Sequence, residues 1–246
     1  MESQGLHMCL KLNPDAIFIA DSHYNRQSSR DLIGYLHLLS DNPPSQIVLF
    51  GDIAQVLVGN LKSSLEANLE LIELLSSFKN TQIIWLEGNH DFALQSLQKK
   101  GFLSNTTIIP RDSQPLLAEY AGKHYFLAHG DLFLGIRYEL YAKTLRGARG
   151  ILWLVDWLSS GEIYEEFEEK LYAKTIRQDD FHFFEFSANR IGAYLKIASK
   201  RGVKINGIIE GHFHIGKKIE IKGIKYVSLP AFYFTSRGNE IAKIIK

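Results

Sequence analysis

Residues 83–91 read Ile-Ile-Trp-Leu-Glu-Gly-Asn-His-Asp, an apolar run that stops at a glycine and gives way to an amide, an imidazole and a carboxylate. The run is short and continuously apolar, as in a strand covered on both faces. Working outward, the same arrangement recurs. Ala16–Ala20 leads to Asp21-Ser22-His23, and Ile47–Phe50 leads to Gly51-Asp52. Tyr125–Ala128 leads to His129-Gly130-Asp131, and Ile205–Ile209 leads to Gly211-His212-Phe213-His214, although Asn206 and Gly207 weaken that last strand. One such motif alone is weak evidence. Five in a fixed order are hard to explain as packing.

Helical patterns fall between these runs. Asp31–Leu39 reads as one helix, with Ser29 near its cap. Leu61, Leu65, Leu69, Ile72 and Leu75 follow a 3.6-residue period on a second. Alternating strand and helix predicts an α/β fold. Toward the C-terminus, Lys218–Ile221, Ile224–Leu229 and Glu240–Ile245 read as strands, with Gly223 in a hairpin turn. Residues 136–177 differ in character. Tyr138, Tyr141 and Leu145 share one helix face, Ile151–Leu158 is apolar nearly all round, and Glu162–Arg177 is acidic early and basic late. This segment reads as a helical cap inserted at about 136–177 into a single domain spanning 1–246. Phe181, Phe183, Phe184 and Phe186 read as core.

The bulk composition narrows the function. The chain has 246 residues, 46% hydrophobic and 22% charged, with a formal net charge of +1. No global field points to nucleic acid. Cys9 is the only cysteine, so no intrachain disulfide can form, which fits a reducing compartment. Met1–Leu12 lacks a basic start followed by a long apolar stretch, so no secretory signal is expected. No apolar run approaches the roughly 20 residues of a bilayer span.

In open α/β sheets, ligands bind where loops leave the carboxyl ends of the strands. The motifs would bring together Asp21, Asp52, Asn89, His23, His129, His212 and His214. Oxygen and nitrogen donors without thiolates suit Mn, Fe, Zn or similar divalent ions and speak against a structural zinc knot. Seven donors are too many for one ion that keeps an open position, and about right for two ions sharing a carboxylate. Such a pair can activate water and clamp a phosphate.

By these motifs the chain resembles the calcineurin-like metallophosphoesterases, over nearly its whole length. The resemblance implies a two-sheet α-β-β-α sandwich. It implies that Asp21, His23, Asp52 and His214 hold one metal, and that Asp52, Asn89, His129 and His212 hold another, with Asp52 bridging. His90 would sit at the phosphate as hydrogen-bond donor or general acid. Asp131 would support His129 from behind. Many members carry an acidic residue three positions after the bridging aspartate; this chain has Gln55.

Within the superfamily, the Asn89-x-Asp91-Phe92 sequence, the His-Gly-Asp motif, the cap and the ending Ser228-Leu229-Pro230-Ala231-Phe232 look most similar to the UDP-2,3-diacylglucosamine pyrophosphatases of lipid A synthesis. That branch often has arginine where this chain has His90. The similarity implies Mn2+ as the metal, with Fe or Zn tolerated, and a phosphorylated lipid-nucleotide substrate. It also implies work in the cytoplasm, at the cytoplasmic face of the inner membrane. A phosphodiesterase or pyrophosphatase acting on another nucleotide or small phosphoester is the competing expectation. A non-catalytic scaffold would be expected to have lost ligands, and here all seven positions are filled.

Overall fold

The computed structural model describes residues 9–27, 29–147, 156, 159, 164 and 182–245. Among them the elements run β1 (Cys9–Lys11), β2 (Ile17–Ile19), α1 (Asp31–Asp41), β3 (Gln46–Leu49), β4 (Leu57–Val58), α2 (Lys62–Ala67), α3 (Leu69–Ser77), β5 (Gln82–Leu86), β6 (Asp91–Phe92), α4 (Gln95–Lys99) and β7 (Thr106–Ile109). The chain continues through β8 (Leu116–Tyr120), β9 (Lys123–Ala128), α5 (Ile136–Gly147), α6 (Phe183–Lys200), β10 (Gly207–Glu210), β11 (Lys217–Ile221), β12 (Ile224–Ser228), α7 (Phe232–Thr235), β13 (Asn239–Glu240) and α8 (Ile241–Ile245).

Two sheets carry the architecture, one ordered β13-β2-β3-β5-β7 and the other β1-β8-β9-β10-β12-β11. Side-chain alternation along the strands builds three apolar layers. In the first sheet Ile19, Ile47, Leu49, Ile83 and Trp85 face Leu36 of α1 and Leu71, Ile72 and Leu75 of α3. The intervening Phe18, Val48, Phe50, Ile84 and Leu86 meet Ala118, Leu127, Ile209 and Val227 of the second sheet. The other face of that sheet, through Phe126, Ile208 and Tyr226, packs on Ile191, Tyr194 and Ala198 of α6. This is the expected α-β-β-α sandwich. Both faces of the central strands β3, β5 and β10 are covered, which is why these stretches are unbroken apolar runs rather than alternating ones.

Four expectations need correction. The second helix is broken in two at Asn68, whose side-chain amide donates to the carbonyls of Val56 and Ser64 at 2.9 and 2.8 Å. Glu240–Ile245 is not a strand. Only Asn239 and Glu240 pair with β2, and the chain then turns helical. Ile241 and Ile244, three apart, enter the inter-sheet core, a helical spacing. Ser29 does not cap α1. The helix follows Arg30 without a side-chain cap, and Ser29 exchanges backbone bonds with Asn25. Of the four phenylalanines, Phe183 and Phe186 pack on the core, Phe184 is exposed, and Phe181 lies outside the described residues. The cap helices expected over Ile151–Leu158 and Glu162–Arg177 also lie outside them, apart from Asp156 and Tyr164.

Candidate metal centre

Strands β2, β3 and β5 run parallel, as do β9 and β10, so the five motif loops leave from carboxyl ends and meet. Backbone bonds fasten one loop to the next. His23 N donates to Asp52 O at 3.0 Å, and Gly211 N donates to His129 O at 2.8 Å. The two sheets are joined across the site by the His212 N–H, which donates to the Asp21 carboxylate at 3.0 and 2.8 Å. Asp21, His23, Asp52, His212 and His214 all have φ between 45° and 65°. Left-handed backbone is uncommon for residues with side chains, and clusters of it mark functional sites. Gly88 is required for close approach: a Cβ there would lie 2.3 Å from Asp52 Oδ1.

The side chains converge in three overlapping groups: Asp21, His23 and His214; His23, Asp52 and His90; and Asp52, His129 and His212. Within each group the candidate ligand atoms lie within 4.8 Å of one another. Asn89 joins the third group, its Oδ1 being 3.1 Å from His129 Nε2. His129 Nδ1 donates to the Phe50 carbonyl at 2.7 Å, which fixes the tautomer and presents Nε2 to the centre. There Nε2 faces His212 Nδ1 at 3.2 Å and Asp52 Oδ1 at 3.5 Å. Both ring nitrogens of His23 are buried without a hydrogen-bond partner. An orphaned buried imidazole is costly unless something binds it. Converging nitrogen and oxygen lone pairs, with two orphaned nitrogens among them, fit divalent cations.

The electrostatics agree. Burial pulls His23 and His212 down to about 4, so both are neutral at ordinary pH. His129 moves the other way. Burial opposes its charge, but the Asp52, Asp131 and Asp21 carboxylates and the Phe50 carbonyl outweigh burial and push it up to about 9. Asp52 is held well below the usual carboxylate range: burial raises it, and His129, His90, His23 and His212 more than offset that. His90 is held by the backbone of Gln55, not its side chain; Nδ1 donates to that carbonyl at 2.7 Å. Its own N–H donates to Asp52 Oδ1 at 2.8 Å. The amide at position 55 therefore does not decide how His90 is oriented.

A family model described as calcineurin-like phosphoesterase matches residues 16–216, a span that takes in all five loops. The chain belongs to the calcineurin-like phosphoesterase family. Membership makes it a metal-dependent phosphoesterase. No curated protein matches it. Among solved structures it is similar to an archaeal phosphodiesterase at 13% identity, covering 89% of this chain and 84% of that one, with a TM-score of 0.42. It is also similar to a dimetal phosphatase from Danio rerio at 13% identity, covering 89% and 88%, with a TM-score of 0.39. Neither likeness carries a substrate across.

Around the phosphoesterase motifs sit side chains to which sequence reasoning gave no role or a different one. Asp91 accepts the N–H groups of Asp52, Ile53 and Gly88 and the Trp85 indole N–H. Gln114 accepts the His129 N–H at 2.8 Å and donates to the Glu87 carbonyl. Asp131 does not hydrogen-bond His129; it accepts Arg111 Nε at 2.6 Å and acts on His129 through its charge. Arg111 also grips Glu139 of α5 at 2.9 and 3.0 Å. Farther along α5, Arg146 donates to the carbonyl of Gly88, beside Asn89, at 2.8 Å. Helix α5 is thus tied to the site near both of its ends. The signal for Asp91 was its place in the Gly-Asn-His-Asp motif. Arg111 and Gln114 carried none.

Proposed function

We propose that this phosphoesterase is a two-metal hydrolase that cleaves the pyrophosphate bond of UDP-2,3-diacylglucosamine, yielding UMP and 2,3-diacylglucosamine 1-phosphate in lipid A synthesis. The observation that carries this reading is the surface of α5. Although the helix is tied to the metal centre through Arg111 and Arg146, it leaves Ile136 76%, Leu140 60% and Tyr141 57% exposed. Arg137 and Lys143 are exposed on the same helix. Apolar surface beside cations suits acyl chains and phosphate, and an anionic bilayer face. The expected contact is peripheral, at the cytoplasmic face of the inner membrane; among the described residues no helix is long and apolar enough to cross a membrane. The near-neutral charge gives no footprint for nucleic acid.

In this reading the chain is one domain with a helical cap inserted at about 136–177. Asp21, His23, Asp52 and His214 would hold one cation. Asp52, Asn89, His129 and His212 would hold the second, with Asp52 in both sets. Two cations, Mn2+ by preference, would supply an activated water and neutralise charge on the phosphate. His90 acts on the substrate. With Nδ1 committed to the Gln55 carbonyl, Nε2 is the atom left to donate to the phosphate and to give a proton to the departing oxygen.

The test is UMP release by Mn2+-loaded protein from UDP-2,3-diacylglucosamine and from a UDP-sugar without acyl chains. The acylated substrate should be turned over far faster. Equal rates would refute the lipid assignment and leave a phosphodiesterase or pyrophosphatase for smaller nucleotides.

A further inference from the structure

We infer that Arg190, on the helix behind the second sheet, is a positioning residue that sets the distance between the two histidine loops of the second cation. The inference rests on the two-metal reading above. Arg190 is 5% exposed and Glu210 fully buried. Arg190 Nε donates to both oxygens of Glu210 at 3.1 Å, and Nη2 donates to the same carboxylate at 2.7 Å. The rest of the guanidinium turns to the other loop. Nη2 donates to the Gly130 carbonyl at 3.0 Å, and Nη1 donates to the carbonyl of Leu132.

Gly130 directly follows His129, and Glu210 stands two residues before His212. One planar group therefore fastens the backbone after one ligand to the strand end before the other. The guanidinium also lies 5.2 Å from the ring of Phe213, which sits between His212 and His214. The loops it joins have no slack. A Cβ on Gly130 would come within 2.9 Å of Gly211 O and His212 Cβ, and His129 Nε2 and His212 Nδ1 are 3.2 Å apart.

Stability alone does not account for such a group. A buried ion pair is often neutral or unfavourable compared with an apolar pair of similar volume. What an apolar pair cannot do is hold two carbonyls of one loop and a carboxylate of another in fixed register. Lysine cannot do so either, because its ammonium is a point charge without the planar fork.

The test uses the full chain, with Arg190→Lys and with Arg190→Met combined with Glu210→Met. The second variant removes both charges, so neither is left buried and unpaired. Mn2+ stoichiometry is read by titration calorimetry, spin coupling between the ions by EPR, and folding by thermal melts. The wild type should bind two ions and show a coupled spectrum. Both variants should melt lower than the wild type but stay folded at the assay temperature, keep one tight ion, bind the second at least tenfold more weakly, and lose the coupled signal. Folded variants that bind two coupled ions with wild-type affinity would overturn the inference alone. Failure of both variants to fold would overturn it too, by assigning Arg190 to stability. A wild-type protein that binds one ion would sink the two-metal reading, and this inference with it.

Discussion

Asp91→Asn should destabilise the metal-free protein severely, although it changes one atom. The Asp91 carboxylate is fully buried and receives four N–H donors. Oδ1 takes those of Asp52 at 3.0 Å and Gly88 at 2.7 Å, and Oδ2 takes those of Ile53 at 2.8 Å and Trp85 at 3.1 Å. An asparagine has one oxygen. However its amide is turned, two donors face an NH2 that cannot accept. The Gly88 N–H keeps a second acceptor in the Asp91 backbone carbonyl at 3.1 Å, so one or two donors are stripped according to the turn of the amide; at about 1–3 kcal/mol each, the loss is roughly 1–6 kcal/mol. A domain has only about 5–15 kcal/mol in hand. At roughly 2–4 °C per kcal/mol for a chain of this size, Tm should fall on the order of 10 °C. Differential scanning calorimetry in chelator measures the loss without a contribution from bound ions. Cation binding should weaken as well, because Asp91 fixes the backbone of Asp52 and Gly88 on either side of the site. A variant that melts within about 2 °C of the wild type would refute the view that these four bonds organise the loop.

Other outcomes can be checked directly. Metal-free His129 sits at about 9, so at pH 7 it carries a proton that a cation must displace. Mn2+ loading should release about one proton per protein, and affinity should rise with pH until about pH 9, because the ligand must be deprotonated. Calorimetry in two buffers of different ionisation heat reads this release. Glu139 is held below its usual range, chiefly by its hydrogen bonds from Arg111. The stability it lends is present above the unfolded value near 4.5 and lost as pH falls through the lower folded value. Thermal melts from pH 6 to pH 3 should therefore fall more steeply for the wild type than for Glu139→Gln.

The candidate ligands were legible because each follows directly on the strand that carries it. Asp52 lies three residues past β3, and His129 one past β9. The sandwich was legible for a related reason: Ile47–Phe50 and Ile83–Leu86 are apolar on both faces because both faces are covered. What could not be read depends on partners distant in sequence. Asn68 breaks a periodic helix because the Val56 carbonyl is within reach of its amide. Thr106–Ile109 and Leu116–Tyr120 are ordinary edge and hairpin strands, and only pairing with β5 and β9 declares them. Asp131 looked like a support for His129, but the Phe50 carbonyl, from the other sheet, takes that position. Arg111, Gln114 and Arg190 are single polar residues in unremarkable contexts. Their roles come from which loops the topology lays beside them.

The strained backbone bears on whether bound ions assemble this centre or enter one already built. Five of the seven proposed ligands sit at positive φ. Left-handed backbone at a residue with a side chain costs about 1–3 kcal/mol, toward the lower end for Asp and His, so five cost on the order of 5 kcal/mol or more. That is a large share of a domain's net stability. Of the groups that hold the loops in this shape, all but Asp21 lie outside the proposed ligand set. These groups are the Asp91 carboxylate under Asp52, the Phe50 carbonyl under His129, the Asp21 carboxylate on the His212 N–H, and Arg190 across the two histidine loops. Because protein–protein hydrogen bonds offset the strain, the loops are shaped without the metal, unlike a small zinc domain that folds only on binding. Stripping the ions should then lower stability only by the mass-action term set by their affinity and concentration, and leave the sandwich folded. The His23 imidazole, buried without a hydrogen-bond partner in the protein alone, is the residual cost of that preorganisation, which a bound cation would relieve.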